Sequence, residues 1–439
     1  MFKINLQNPI LTDRYNMKKN IFIILLGLSI LSLISGCGEQ TTAPTMENIV
    51  SIIAPKDGSV IGDSVTVAIS IDGLQGVERV DIYIDGDSIF SDSTPPYQFF
   101  WSTHNVQPNA EHYLQAVAFL PDTTYASDTT TVMVQLQSGI HQLSEYQVNG
   151  KAVALAIDGN SHYLFSADSD DGVAVFDISN PYSPVFVSNI DISGSAVAVD
   201  CWGGYLFIAE GRNGVTAVDV SNPYSPIFLD SYDTPGEALN LSFDATDSVL
   251  YVADDNTLQI IELDDNFNLI PFSQLDMQLS IYDVTIDSDY AHLGVTEGVR
   301  IVDISDPANP SFVQGGVYYT QTPVIRISSF QLRDYLSLGA DGIAVLSTAD
   351  VSAPTFRADF STSGYAGAVA YRQGGASDIL FVADGSEGIL ALRYVEGDSS
   401  TLYSITEYDT QGSVNDIIYR DGLIYIADDI RIAIFRFVE

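Results

Sequence analysis

Seven acidic residues recur at near-constant spacing along the second half of the chain. Asp168, Glu210, Asp254, Glu297, Asp341, Asp384 and Asp428 lie 42, 44, 43, 44, 43 and 44 residues apart. Carboxylates are hard oxygen ligands, so a ring of them could hold a divalent cation such as Ca2+. Placed close together, they would also raise one another's pKa. A second chemistry is open to the same residues, because a carboxylate at a turn accepts backbone N–H bonds. Repetition in every unit favours that second role, since structural positions repeat whereas ligand sites usually break symmetry. No other cofactor is indicated.

Signals for catalysis are sparse. The histidines are His104, His112, His141, His162 and His292, the first two in one region and the others in different repeat units. None sits in a His-Glu-x-x-His or Gly-x-Ser-x-Gly context, and no Gly-rich phosphate loop precedes a helix. With 57 Asp plus Glu, proximity between two acids carries no information. Asp168-Ser169-Asp170-Asp171-Gly172 is only loosely like a calcium loop, because the later ligands are missing.

The acids are positioned by a repeated strand ending. Phe165-Ser166-Ala167-Asp168, Phe207-Ile208-Ala209-Glu210, Tyr251-Val252-Ala253-Asp254, Phe381-Val382-Ala383-Asp384 and Tyr425-Ile426-Ala427-Asp428 are clear copies. Val295-Thr296-Glu297 and Leu338-Gly339-Ala340-Asp341 are weaker ones. Units of about 40–45 residues match four-stranded propeller blades. In one unit the strands read as Ala196–Asp200, Tyr205–Ala209, Gly214–Asp219 and Ile227–Asp233, with a proline-rich turn before the last.

Leu143-Ser144-Glu145-Tyr146-Gln147-Val148-Asn149-Gly150 repeats as Leu229-Asp230-Ser231-Tyr232-Asp233-Thr234-Pro235-Gly236 and as Ile405-Thr406-Glu407-Tyr408-Asp409-Thr410-Gln411-Gly412. The first copy stands ahead of the first unit, and the last unit lacks its own. Residues 140–148 are therefore expected to pair with Ile430–Phe435 and close the ring, leaving no open edge.

Asp177-Ile178-Ser179-Asn180-Pro181-Tyr182-Ser183-Pro184, Asp219-Val220-Ser221-Asn222-Pro223-Tyr224-Ser225-Pro226 and Asp303-Ile304-Ser305-Asp306-Pro307-Ala308-Asn309-Pro310 resemble the LVIVD repeat of bacterial and archaeal surface proteins. Val299-Arg300-Ile301-Val302-Asp303 comes close to the motif behind that name. Unit five keeps only Ser352-Ala353-Pro354, and units three, six and seven depart from the motif at Asp264-Asp265-Asn266, Glu396-Gly397-Asp398 and the chain end. The resemblance spans residues 140–439 and implies a propeller outside the cytoplasm, with no shared catalytic residue.

Upstream, residues 49–137 alternate as strands. Ala54-Pro55-Lys56-Asp57-Gly58, Asp85-Gly86 and Pro96-Tyr97-Gln98-Phe99-Phe100-Trp101 look like a bacterial Ig-like domain. It has no cysteine pair, so Trp101 and aliphatic residues must form its core. Residues 1–36 read as a secretory leader starting at Met17, with Lys18-Lys19 before an uncharged run and a lipobox, Ile34-Ser35-Gly36-Cys37. Residues 1–16 are an extension or a long leader. Cys37 is the expected lipid attachment site, and residues 37–48 a flexible tether. Gly38 after the cysteine favours the outer membrane in a Gram-negative host. The second cysteine, Cys201, is expected to be packing rather than a reactive thiol.

The net charge is −40, and removal of the leader leaves 13 bases against 56 acids. Nucleic acid and anionic lipid surfaces are excluded as partners, so membrane contact would come only through the Cys37 lipid. The sequence therefore predicts an all-β chain: an Ig-like β-sandwich, then a seven-bladed β-propeller over 138–439 closed by an N-terminal strand. The expected role is a lipid-anchored extracytoplasmic binding or scaffolding protein for protein or glycan, and not an enzyme. The alternative is a propeller enzyme acting on polysaccharide or a small molecule at the central channel.

Overall fold

Among the described residues every element is a β-strand. The structure, a computed structural model, describes residues 50–439 apart from 75, 104–105, 122–124, 265, 267, 375–376 and 398. The expected leader, Cys37 and tether lie outside the described residues, as do His104, Asp265 and Asp398.

The N-terminal part is a sandwich. Val50–Ala54, Ser64–Ile71 and Gln98–Ser102 form one sheet, and a five-stranded sheet centred on Ala110–Phe119 forms the other. Alternation in Ser64–Ile71 turns Val67 and Ile69 inward, where they meet Trp101, Ile82, Leu114 and Val132 in one core. Trp101 is fully buried, as expected for a sandwich without a disulfide.

From Ala154 onward the strands fall into seven antiparallel sheets, six of them four-stranded. Their first strands are Ala154–Ile157, Ala198–Trp202, Ala238–Asp244, Ile281–Asp287, Arg326–Phe330, Ala368–Arg372 and Val414–Arg420. Each touches the next in that order, and the seventh touches the first. The sheets therefore close into a ring, and we number them as blades one to seven. Second and third strands are continuous apolar runs because both of their faces meet a neighbouring blade. In blade two, Leu206, Phe207, Ile208 and Ala209 are all buried. Truncating Phe207 to Ala would cost about 3–5 kcal/mol. Fourth strands are outermost and mostly exposed, as in Ile227–Tyr232.

Blade seven is closed from the other end of the domain. Leu423–Val438 runs past the place where other blades turn between their second and third strands. Its first part pairs with Val414–Arg420. Its later part pairs with Gly139–Ala152, with Ile140 opposite Phe437, Tyr146 opposite Ile432 and Gln147 opposite Arg431. A bulge marks the pairing of third and fourth strands in all seven blades, for example at Ala217/Val218, and it recurs at Ile434/Phe435. Such a bulge bends and twists the outer strand. Its presence in blade seven shows that Gly139–Ala152 fills the fourth-strand position.

The closing strand also ties the ring to the sandwich, and Val50–Glu439 is one compact unit. Val438 packs into the core around Trp101. Arg436 donates to the Val106 carbonyl at 2.8 Å and to the Tyr182 hydroxyl at 2.7 Å.

Candidate functional site: inter-blade clamps and outer grooves

Five of the repeated acids, Asp168, Glu210, Asp254, Asp384 and Asp428, are buried at the ends of second strands. The Asp254 carboxylate accepts the Thr234 hydroxyl at 2.8 Å and the Gly236 N–H at 3.0 Å. Thr234 and Gly236 belong to the chain arriving from blade two, so the acid clamps one blade to the next. Glu210 accepts Gly194 N–H at 2.9 Å, and Asp384 accepts Gly364 N–H at 3.0 Å. Asp428 accepts the Thr410 hydroxyl at 3.2 Å and pairs with Arg431 at 3.0 Å. Asp168 accepts the Ser166 hydroxyl at 2.6 Å. Burial pushes Asp168 up to about 7, the Ser166 bond only partly opposing it. Burial likewise raises Asp254, Asp384 and Asp428, against the bonds they accept.

Glu297 and Asp341 stand elsewhere, which corrects the expected ring of seven. Leu338 N–H bonds to Gly342 O just as Asp168 N–H does to Gly172 O, so Leu338 occupies the clamp position in blade five. Asp341 is three residues late and exposed. In blade four Val295 pairs with Gly298, as Asp254 pairs with Thr257, so Val295 holds the position and Glu297 lies in the exposed turn. Spacing alone could not resolve a slip of two or three residues inside a hairpin. Among the described residues, no group of three or more His, Cys, Asp or Glu side chains is placed to share a metal ion.

A second set of polar bridges lines the inner strands. Asp200 accepts Phe243 N–H at 2.9 Å, Asp283 accepts Ile327 N–H at 2.6 Å, and Asp416 accepts Leu155 N–H at 2.8 Å. Each bond joins one blade to the next. Burial raises all three carboxyls, and Asp283 reaches about 6 although the Arg326 charge opposes the rise there and at Asp416. Cys201 donates its thiol to Ile157 O at 3.0 Å, from blade two to blade one. Burial pushes that thiol up to about 12, so it stays protonated and unreactive at neutral pH.

The proline-rich turns form a third seam. Asp177 and Asp219 accept N–H bonds from Ser179 and Ser221 two residues on, which fixes the turn. The carbonyls of Pro181, Pro223 and Pro307 then accept hydroxyls of Ser144, Ser188 and Ser273 from the preceding blade.

One junction is different. His292 Nδ1 lies 2.8 Å from Asp334 Oδ2 between blades four and five, with both residues buried. Ser329 donates to Asp334 at 2.6 Å rather than to the imidazole, so the three do not make a nucleophile–base pair. His112 pairs with Asp85 at 2.6 Å within the sandwich, and His162 is exposed.

Outside these seams, grooves open between fourth strands. Between blades one and two, a cavity of about 270 Å3 is lined by Asn189, Ile192, Ser193, Glu210, Thr216 and Phe228, among others. Between blades seven and one, about 110 Å3 is bounded by Tyr146, Asn149, Asp168, Phe186 and Asn189. Between blades four and five, about 400 Å3 lies against Tyr319, Gln321, Phe356 and Asp359. Phe186, Phe228, Phe312 and Phe356 occupy one register position, paired with the last residue but one of the third strand. They are 42, 62, 50 and 48 % exposed. The sequence carried this signal as four Pro-x-Phe steps, at 184–186, 226–228, 310–312 and 354–356.

Comparison with known proteins agrees with this geometry. The bacterial Ig domain model matches residues 49–116, and the LVIVD repeat model matches 149–192, 193–234 and 280–316. No curated protein sequence matches the chain. Among solved structures, the β-propeller domain of Cps50 (Swd1) from Myceliophteria thermophila is similar, at TM-score 0.53 and 10 % identity over 68 % of this chain and all of that one. Raptor from Chaetomium thermophilum matches at TM-score 0.54 and 10 % identity, over 68 % of this chain but 29 % of its own. A chain of the Mitotic Checkpoint Complex matches at TM-score 0.54 and 11 % identity, over 69 % and 94 %. These likenesses show the fold alone. The chain carries a bacterial Ig domain followed by a β-propeller that contains LVIVD repeats.

Proposed function

We propose that this is a lipid-anchored binding protein of the cell envelope, whose propeller recognises a protein or glycan outside the cytoplasmic membrane. One observation carries the reading. Glu210, Asp254, Asp384 and Asp428 and the proline-rich turns are engaged in bonds between blades, so the repeats specify a platform, and the outer grooves and loops remain for recognition. A chain of the Mitotic Checkpoint Complex shares this fold, which supports a scaffold role. The strongly acidic chain favours neutral or basic partners. The anchor rests on Ile34-Ser35-Gly36-Cys37 after an uncharged run.

Two measurements test this reading. Metabolic labelling with a fatty-acid analogue should mark the wild type and not Cys37→Ser, and equal labelling of both would refute the anchor. Crosslinking on intact cells should trap an envelope component on the propeller. A head that traps nothing would refute the recognition role.

A further inference from the structure

The grooves between fourth strands have a lining that selects a class of ligand. Each places an outward-facing aromatic ring beside polar side chains, and Phe228 is the most exposed of the four register-equivalent phenylalanines. The polar wall of the groove between blades one and two is already ordered. Asn213 donates to Ser193 at 3.2 Å, Ser193 donates to Glu210 at 3.3 Å, and Asn189 donates to Asp171 O at 2.9 Å. An apolar ring face next to fixed hydroxyl, amide and carboxylate groups suits a ligand with one C–H face and a rim of hydroxyls. A pyranose ring has that shape. At about 270 Å3 the cavity falls just below the usual range of small-molecule pockets, about 300–1,000 Å3, which fits one ring better than a protein surface. Glu210 and Asp191 in this groove, Asp168 and Asp171 in its neighbour, and Asp341 and Asp359 in the third disfavour anionic sugars.

Recurrence supplies the second argument. Phe186, Phe228 and Phe356 hold equivalent positions, and Asn189 lines two adjacent grooves. A ligand that itself repeats can occupy several equivalent subsites. Linked weak sites gain about 10²–10⁴ in avidity when one chain spans them. We infer that the groove centred on Phe228 holds one pyranose ring of a neutral polysaccharide while the smaller cleft at Phe186 offers a stacking face to a neighbouring ring of the same polymer, which deepens the recognition reading above and rests on it.

The test is affinity electrophoresis of the full mature chain in gels containing dextran, mannan, laminarin or xylan, with alginate as the anionic comparison. At least one neutral polymer should retard the wild type, and alginate should not. Phe228→Ala should weaken retention about tenfold, as expected for loss of one aromatic contact with its buried area. Phe186→Ala with Phe228→Ala should abolish it. Phe100→Ala, an equally exposed ring on the Ig-like domain, should leave mobility unchanged. Melting temperatures of the Phe228→Ala and Phe100→Ala variants should match the wild type, since those rings are mostly exposed. Phe186→Ala also gives up ring contacts with Phe176 and Tyr146 and should melt somewhat earlier, so its retention is compared below its own unfolding transition. The inference is overturned if no neutral polymer retards the wild type, or if the double variant is retarded as strongly as the wild type. Cell-surface crosslinking that still traps a protein partner would then leave the recognition reading standing and remove only the glycan.

Discussion

Blades four and five hold their seams differently from the other five. Blades one, two, three, six and seven end the second strand in a buried acid, and the incoming loop of each offers a glycine: Gly150, Gly194, Gly236, Gly364 and Gly412. A Cβ at each of these glycines would press against the clamp residue, its side chain or its carbonyl. In blades four and five, Val295 and Leu338 replace the acid, and the loops at 276–280 and 320–325 contain no glycine. Acid and glycine are present together or absent together, as expected if one touches the other. The same region departs in the core. Elsewhere an aromatic of one blade shares a core with an aliphatic of the next, as in Phe165 with Leu206, Phe207 with Leu250, Tyr335 with Leu380 and Phe381 with Ile424. Between blades four and five those positions are His292 and Asp334. A repeat can lose one seam element when the ring as a whole remains closed.

The largest effect is expected at that polar pair. Asp334→Ala or His292→Ala strands a buried polar partner and should cost about 3–5 kcal/mol in urea unfolding. Restoring the pattern of the other junctions with His292→Phe plus Asp334→Leu should be near neutral or stabilise by about 1–4 kcal/mol, less about 1 kcal/mol for Ser329 losing its acceptor. A double variant as unstable as either single one would show that the pair does more than fill the seam.

A smaller loss is expected at the clamps. Gly412→Ala puts a methyl against the Asp428 carboxylate and should cost about 1–3 kcal/mol by overpacking. Gly397→Ala, which meets nothing within 4 Å, should stay within about 0.5 kcal/mol of wild type. Equal melting temperatures for the two variants would remove the contact argument.

The pH dependence sharpens the contrast further. Asp168 is raised from 3.8 to about 7 by burial. The folded chain therefore holds a proton that the unfolded chain has lost between about pH 4 and 7. That stability is complete below the unfolded value and fades as pH rises through the folded one, with a slope of up to about 1.4 kcal/mol per unit. Asp168→Asn keeps an oxygen for Ser166 and cannot ionise. It should flatten the decline in melting temperature between about pH 4 and 7. An unchanged slope would mean that Asp168 is not the group responsible.

Much of this was legible in the sequence. The 42–44-residue spacing gave the blades, and the displaced Tyr146 segment gave the closing strand, although its pairing extends past 140–148 and 430–435 to Gly139–Ala152 against Asp429–Val438. Trp101 was identifiable as the centre of the sandwich core. The two slipped acids were not legible, because a strand ending in Val295 or Leu338 differs from one ending in Asp only in side chain, and the nearest acid then stands in for it. The inner bridges from Asp200, Asp283 and Asp416 were hidden among 57 acids. Only burial distinguishes them. The grooves depend on how adjacent outer strands splay at their bulges, which no single repeat encodes.

The central claim is that Glu210, Asp254, Asp384 and Asp428 are engaged in bonds between blades. Differential scanning calorimetry of wild type and Asp254→Asn, in millimolar calcium chloride and in sodium chloride of equal ionic strength, tests it most directly. Screening alone should move both proteins alike, so the two salts should give equal melting temperatures for the wild type. An ion bound only by the folded chain would add about 2.7 kcal/mol at a hundredfold excess over its dissociation constant. A calcium-specific rise in the wild type that disappears in Asp254→Asn would contradict the account.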